Sequence, residues 1–301
     1  MKFFSKRQTL TQNITYMGIM AAINVVCVVL MTYVLPGLFI PFTLLLPFTS
    51  TVVTLYCDRR YFPLYALATV GICFLTTLGN ISDTLFFIIP TIFSGFSFGM
   101  FIYYKFPTII TIFVTGLIYT ALSYLFIPII QAIYQQDMIY VVSSIFKLND
   151  YVYLSYIVPV FLLVLGLLQS TFSLFFIKNE LPKVGVSNEE KDFYSVHIII
   201  GLFGCLMSLF AYLIFPSFSL FFLTFALFFA VYQVFLDSVN QHFKTLIIYG
   251  ICLAVFIVFF ALTYTYIPKP FGLLTLNILF ALIFIISLVN FYLTKTHKSV
   301  E

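Results

Sequence analysis

The chain has 301 residues, of which 62% are hydrophobic and only 8% are charged. A soluble domain has about a quarter charged residues, so 14 basic and 10 acidic side chains are too few to cover a water-soluble globule of this length. Disorder is excluded as well, because disordered chains combine low hydrophobicity with high charge. The composition therefore predicts an all-α polytopic membrane protein, a bundle of transmembrane helices.

Apolar segments follow one another along the chain, and a helix needs about 20 such residues to cross the hydrocarbon core. In order, ten segments cover residues 14–34, 38–56, 61–79, 84–104, 108–128, 152–177, 194–214, 217–236, 245–266 and 271–293. Pro41 and Pro47 interrupt the second, so the second and third are the pair that would form a re-entrant hairpin instead of two spans. The first is too long for a signal peptide and lacks a small-residue cleavage site, which predicts a retained span.

Basic residues indicate the orientation, since cytoplasmic loops carry an excess of Lys and Arg. With the amino terminus in the cytoplasm and the sides alternating, 12 of the 14 basic residues fall on the cytoplasmic side. Only Lys147 and Lys269 fall outside. The sequence therefore predicts about ten spans with both termini in the cytoplasm.

Small residues in the first span are candidates for a helix contact. Gly18 and Ala22 form a small-x-x-x-small step, with Ala21 beside it. Such a step lets a second helix approach closely. It indicates either packing inside the bundle or the docking of a partner subunit.

Five polar residues are candidates for binding a small polar solute. Asn24, Gln169 and Asn277 lie deep within spans, where amide groups either hydrogen-bond across helices or line a cavity. Asn80 and Asp83 lie at the outer ends of the third and fourth spans. There they would either meet a ligand arriving from outside or cap a helix.

Three parts of the chain are expected to form separate regions. Residues 1–178 hold six spans and an outer segment, 129–150, whose spacing predicts an amphipathic helix on the membrane surface. Residues 179–193 form a charged cytoplasmic loop. Residues 194–301 form a four-span unit.

Catalytic and metal-binding patterns are absent from the sequence. There is no nucleotide-binding, zinc-protease or nucleophile-elbow motif. Five cysteines without a C-x-x-C pair and three distant histidines predict neither disulfides nor a metal site. Asp83 and Asp237 lie at span ends, and no acidic residue is placed at mid-membrane. We expect no enzyme activity, no cofactor, no metal and no nucleic-acid partner.

A resemblance rests on three short segments. A basic leader runs into residues 15–22 (TYMGIMAA), residues 157–159 (IVP) open the sixth span, and residues 181–183 (LPK) follow it. With these features the chain resembles the YybS-like family of uncharacterised bacterial membrane proteins over nearly its whole length. Residues 1–178 are also similar to the substrate-binding S-components of energy-coupling-factor vitamin transporters.

The resemblance implies a bacterial cell membrane protein whose six-helix unit binds a small solute from outside. It further implies that Gly18 and Ala22 contact a membrane coupling subunit that works with ATPases. The four additional spans, 194–293, depart from the S-component pattern. The leading hypothesis is therefore a solute-binding, transport-related protein of S-component type. One alternative is a secondary transporter built from a 5+5 inverted repeat, and another is a non-transporting membrane scaffold or regulator.

Overall fold

The computed structural model describes residues 6–34, 39–78, 84–135, 137, 140, 154–177, 194–239, 243–263 and 271–298. Within these ranges the chain forms ten α-helices and no strand. In order they are α1 (Leu10–Val29), α2 (Phe39–Tyr56), α3 (Phe62–Thr76), α4 (Ile89–Tyr103), α5 (Thr108–Tyr134), α6 (Leu154–Ile177), α7 (Tyr194–Ile214), α8 (Pro216–Val239), α9 (Phe243–Thr263) and α10 (Leu276–Lys298). A π-helical turn, Leu30–Val34, extends α1, and another, Thr84–Ile88, leads into α4.

Eight helical stretches in the described ranges are long and apolar enough to cross a membrane. Their outward faces are apolar: Leu67, Phe175 and Leu213 are 75–79% exposed. Side chains of this kind are costly to leave in water, at about 25 cal/mol per Å² of apolar surface, and lipid removes that cost. The chain is therefore an integral membrane protein with multiple membrane-spanning helices.

The chain divides into two compact units. The amino-terminal unit comprises Met1–Asn149 and Phe161–Asp192, and the carboxy-terminal unit comprises Asp150–Val160 and Phe193–Glu301. The boundary therefore falls inside α6, whereas the sequence places residues 1–178 in one region. The functional division into an S-component-like part and an added four-span part stays a prediction.

The helices α2 and α3 are short, with 18 and 15 residues. With 15 residues, α3 is about 22 Å long, against about 30 Å of hydrocarbon core. The turn between them lies at the end of the amino-terminal unit where α1 begins, because the Arg7 backbone N–H donates to the Tyr56 carbonyl at 2.8 Å. At the opposite end, the Tyr33 hydroxyl beyond α1 donates to the Thr76 carbonyl of α3 at 2.9 Å. The two short helices thus run between the ends of α1, and ten full crossings stay a prediction.

Glycines allow α4 to pack directly on α2. A Cβ at Gly95 would lie only 2.3 Å from the Pro47 carbonyl oxygen, and one at Gly99 would lie 2.7 Å from the Thr54 Cβ. The Thr51 hydroxyl donates to the Gly95 carbonyl across the contact at 3.0 Å. Gly95 and Gly99 form a G-x-x-x-G step, a sequence signal for close packing of apolar helices.

Basic residues of separate segments gather at one end of the amino-terminal unit. The Arg7 guanidinium lies 4.2 Å from the Tyr16 ring centre, and that of Arg59 lies 3.4 Å from the Tyr103 ring centre. Burial raises the pKa of the nearby Cys57 thiol to about 12, although the Arg7 charge opposes this. The structure therefore places together the leader, the α2–α3 turn and the end of α4, which the charge pattern assigns to the cytoplasm.

The fifth helix is longer than the predicted span 108–128. It continues across Pro128 to Tyr134 and ends at Gln135, which adopts a left-handed backbone with φ 55°. Its 27 residues correspond to about 40 Å, more than the thickness of the hydrocarbon core. The predicted amphipathic segment 129–150 is thus wrong in its first part, because residues 129–134 continue α5. Most of its remainder, and the charged loop 179–193, lie outside the described residues.

Candidate functional site

The helices α5 and α6 cross with their backbones in contact in the amino-terminal unit. A Cβ at Gly166 would lie 2.9 Å from the Gly116 carbonyl oxygen, and a Cβ at Gly116 would lie 2.9 Å from the Leu167 side chain. Two glycines facing each other bring the helices close, because neither carries a side chain to hold them apart. The polar residues beside these glycines are therefore forced into the interior.

Buried polar side chains line this crossing, and we call them the polar seam. Hydroxyl groups recur at every fourth position of α5, and residues that are four apart lie on one helix face. All members are at most 4% exposed. The polar seam consists of Thr111, Thr115, Tyr119 and Ser123 on α5 and Gln169, Ser170 and Ser173 on α6. The four-residue hydroxyl period is visible in the sequence and is the signal that could have found the α5 side.

Gln169 is the sequence-predicted candidate that lies in the polar seam. It is 1% exposed, and in the described part of the chain neither its amide nitrogen nor its amide oxygen has a hydrogen-bond partner. The Tyr119 hydroxyl lies beside Gln169 and Ser123, but it forms no hydrogen bond of normal geometry among the described residues, and neither does the Ser173 hydroxyl. The neighbouring Thr115 and Ser170 hydroxyls, by contrast, bond to each other at 2.7 Å.

An unpaired buried amide costs about 1–3 kcal/mol. Gln169 also lies eight residues from the end of α6, or about 12 Å inside the helix. Among the described residues, the polar seam thus offers the Gln169 amide nitrogen, the Gln169 amide oxygen and three hydroxyls, those of Thr111, Tyr119 and Ser173, that the protein itself does not use. That chemistry suits an uncharged polar group of a ligand.

Gln169→Leu is expected to leave the ligand-free protein as stable as the wild type, or to stabilise it by about 1 kcal/mol. The substitution removes a buried polar group that gains nothing from the fold, and the volumes are similar. The measurement is the thermal unfolding midpoint in detergent. A fall of several degrees would mean that the amide is engaged in the folded protein, contrary to the geometry.

Asn24 lies in a different polar cluster, between α1, α2 and α3. Its amide nitrogen donates to the Tyr65 hydroxyl at 3.1 Å, and its amide oxygen accepts from the Thr49 hydroxyl at 2.7 Å. The Ser50 hydroxyl lies 3.4 Å from that of Tyr65. These bonds correspond to the interhelical alternative for Asn24. A solute-binding role stays a prediction, and it would require these bonds to open.

The remaining solute-binding candidates are not brought to the polar seam. Asn277 lies in the carboxy-terminal unit, where its amide nitrogen donates to the Ser208 hydroxyl at 2.6 Å. Its amide oxygen has no hydrogen-bond partner among the described residues. Asn80 and Asp83 lie outside the described residues.

The carboxy-terminal unit also has a cavity of about 260 Å³. Its walls come from α6, α8, α10 and the turn before α10, and Leu223 and Phe280 are among them. Thr224 is the one polar residue of this lining, and its hydroxyl donates to the Leu220 carbonyl at 2.9 Å. None of the five candidate residues lines this cavity, which has no free polar group to recognise a polar solute.

The three partner-docking candidates differ in their exposure. Ala21 is buried at 5% exposure, whereas Gly18 and Ala22 are exposed. In the described part of the chain, no atom lies within 4 Å of a Cβ built at Gly18. Among the described residues, no helix packs on Gly18, so the structure does not show the contact inside the bundle at this residue, and docking of a partner stays a prediction. The surface of Gly18 and Ala22 faces outward, towards lipid or a partner.

Sequence reasoning missed a second polar cluster, in the carboxy-terminal unit. Asp237 lies at a helix end as predicted, but it is fully buried and accepts hydrogen bonds from Gln233 and Tyr249. Gln233 in turn contacts His197, which is also buried. A buried carboxyl near a helix end is distinguished from a solvated one only by the residues that pack on it from other helices. A single sequence therefore gives little indication that such a carboxyl is buried.

No three His, Cys, Asp or Glu side chains converge as metal ligands within the described ranges. Compared with protein-family models, with curated proteins and with solved structures, the chain matches none of them.

Proposed function

We propose that the chain is a transport-related membrane protein of S-component type, which binds a small polar solute and docks on a membrane coupling subunit. The observation that carries the proposal is the outward-facing step of Gly18 and Ala22. Gly95, Gly99 and Gly116 contact other helices inside the unit, whereas no atom of the described residues lies within 4 Å of a Cβ at Gly18. A partner helix can approach closely at such a step.

The polar seam supports the solute-binding half of the proposal. Its unpaired amide and hydroxyl groups belong to the amino-terminal unit, the part that resembles S-components. Because they are buried, the solute enters when α5 and α6 separate, and it then supplies the missing hydrogen bonds. Buried polar groups left unpaired in the empty site favour a ligand that satisfies them.

Gly18→Leu is expected to abolish association with the coupling subunit and its ATPases. The full-length protein is purified from its native host in mild detergent, and co-purifying ATPases are quantified by mass spectrometry. We expect a loss of about tenfold or more, since about 1.4 kcal/mol of lost contact suffices for this. Gly71→Leu is the matched control, because Gly71 is also exposed and has open space around it.

Equal ATPase recovery with both variants would contradict docking at this step, and the absence of ATPases from the wild-type preparation would contradict the S-component type.

Solute binding is tested separately by measuring thermal stabilisation with a panel of water-soluble vitamins. A solute that stabilises the wild type but not Gln169→Leu supports the site. A solute that stabilises both variants equally places binding elsewhere.

We also propose a location in the cell membrane with both termini in the cytoplasm. The support is the gathering of Arg7 and Arg59 at one end of the amino-terminal unit, together with the bias of basic residues. A secondary transporter built from a 5+5 repeat would need α6 to belong to the second half of the chain. The greater part of α6 belongs instead to the amino-terminal unit. A stable partner other than ATPases in the same purification would favour the scaffold alternative.

A further inference from the structure

Buried polar side chains from four helices of the carboxy-terminal unit form one hydrogen-bonded chain, which we call the Asp237 network. Every member is at most 5% exposed. The helices α7, α8, α9 and α10 each contribute to it. Its members are His197 on α7, Gln233 and Asp237 on α8, Tyr249 on α9 and Ser287 on α10. It is separate from the polar seam and from the docking step of α1.

The donors and acceptors of the network fix the orientation of its amide. The Gln233 amide nitrogen donates to the Asp237 carboxylate at 3.1 Å, because a carboxylate offers only acceptors when ionised. The Gln233 amide oxygen therefore faces His197, whose Nε2 lies 2.5 Å away. This Nε2 carries a hydrogen and donates it, since an amide oxygen can only accept.

The hydroxyls on the other side of the carboxylate can be oriented in two ways. In the first, the Tyr249 hydroxyl donates to the ionised Asp237 at 2.7 Å, and the Ser287 hydroxyl donates to Tyr249 at 2.5 Å. In the second, a protonated Asp237 donates to Tyr249 and Tyr249 donates to Ser287. Ser287 then donates to the Ile283 carbonyl, which lies 3.0 Å away.

Every hydroxyl hydrogen has an acceptor in either arrangement. The network can therefore hold Asp237 with or without a proton, and neither state leaves a buried donor unpaired. A buried polar group is costly only when its hydrogen-bonding capacity is unmet. The direction of these hydrogen bonds can reverse because the Tyr249 and Ser287 hydroxyls bond to each other and the Ile283 carbonyl can accept the last hydrogen.

We propose that the Asp237 network is a proton-binding site. A hydronium ion transfers its proton to the Asp237 carboxylate and leaves as water, and no other covalent bond changes. Asp237 lies two residues before the end of α8 at Val239, or about 3 Å along the helix. Ionisable groups buried in membrane helices are costly and commonly belong to proton pathways.

Among the described residues, groups of α7, α9 and α10 reach the carboxylate or one of its partners. Tyr249 of α9 contacts it directly, Ser287 of α10 is reached through Tyr249, and His197 of α7 is reached through Gln233. On α8 itself, the Tyr232 ring packs edge-on against the His197 imidazole at 5.2 Å. Lys244, in the first turn of α9, is exposed. Proton binding thus acts on the contacts that join four helices.

The site is tested by infrared difference spectroscopy of the full-length protein in lipid nanodiscs, between about pH 4 and about pH 10, which brackets carboxyl and imidazole titration. We expect a neutral carboxyl C=O band to appear as the pH falls, and Asp237→Asn to remove one component of it. Asp58→Asn is the control, because Asp58 is an exposed carboxyl in the α2–α3 turn. It should leave the Asp237 component in place.

Tyr249→Phe keeps the test decisive if Asp237→Asn does not fold. The neutral carboxyl loses the hydroxyl that accepts its hydrogen bond, so we expect its C=O stretch to move to higher frequency. Tyr65→Phe is the control, since Tyr65 is a buried tyrosine that bonds to Asn24 in the other unit. A wild-type spectrum that Asp237→Asn does not change, or a band that Tyr249→Phe does not shift, would overturn the proposal.

Discussion

Gly95→Ala is expected to destabilise the amino-terminal unit by about 2–3 kcal/mol, the range for forcing extra atoms into a packed interior. The added methyl would lie 2.3 Å from the Pro47 carbonyl oxygen and 2.8 Å from the Ser50 Cβ. The nearest of these atoms is backbone and cannot rotate away, so α2 and α4 must separate. The separation also stretches the bond that the Thr51 hydroxyl donates to the Gly95 carbonyl.

Thermal unfolding in detergent measures this effect, and a loss of about 2–3 kcal/mol corresponds to a fall in midpoint on the order of 5–10 °C. Gly71→Ala is the matched control, because no atom of the described chain lies within 4 Å of the position its methyl would take. Alanine also favours a helix over glycine by about 1 kcal/mol. We expect the control midpoint to stay level or rise, and equal midpoints for the two variants would refute the close α2–α4 contact.

Gln233→Leu is expected to destabilise the carboxy-terminal unit by about 2–3 kcal/mol. Leucine fills a similar volume but removes the hydrogen bonds of the amide, among them one from the His197 imidazole and one to the Asp237 carboxylate. A buried donor and a buried carboxyl then each lose a partner, and unmet groups of this kind cost about 1–3 kcal/mol each. Hydrogen bonds between membrane helices contribute free energies at the lower end of this range.

The same exchange at Gln169 provides the comparison. Both glutamines are at most 1% exposed in apolar helices, yet among the described residues the amide of Gln233 is bonded and that of Gln169 is not. Unfolding midpoints of the two leucine variants should therefore move apart, with Gln233→Leu well below the wild type and Gln169→Leu level with it or above. If both fell equally, the distinction between a paired and an unpaired amide would be wrong.

The positions of the helices were predictable because the signals for them are local. Apolar runs, together with prolines and glycines at the breaks, predicted ten segments, and the described residues form ten α-helices at these positions. The end of α5 was predicted at residue 128, but the helix continues across Pro128 to Tyr134. Proline within a helix is tolerated when neighbouring helices and local adjustments satisfy the freed backbone group.

The candidate site was predictable only in part. Gln169 was selected by its depth in a span, and it does lie among unpaired polar groups. Asn24 was selected on the same ground, and its amide is bonded to neighbouring helices. Depth therefore selects buried amides, but it does not distinguish paired from unpaired ones.

The sequence by itself determined that this is an integral membrane protein, because hydropathy and charge are properties of composition and local order. Tertiary structure alone decided which small and polar residues are in use. Gly18 and Gly95 are both glycines in apolar helices, but only Gly95 has a neighbouring backbone against it. Asp237 lies near a helix end, yet Tyr249, 12 residues away along the chain, bonds to it, and His197, 36 residues from Gln233, completes the buried network. The physical reason is that hydrogen bonding and steric contact depend on what faces a residue from another helix, which its own segment does not encode.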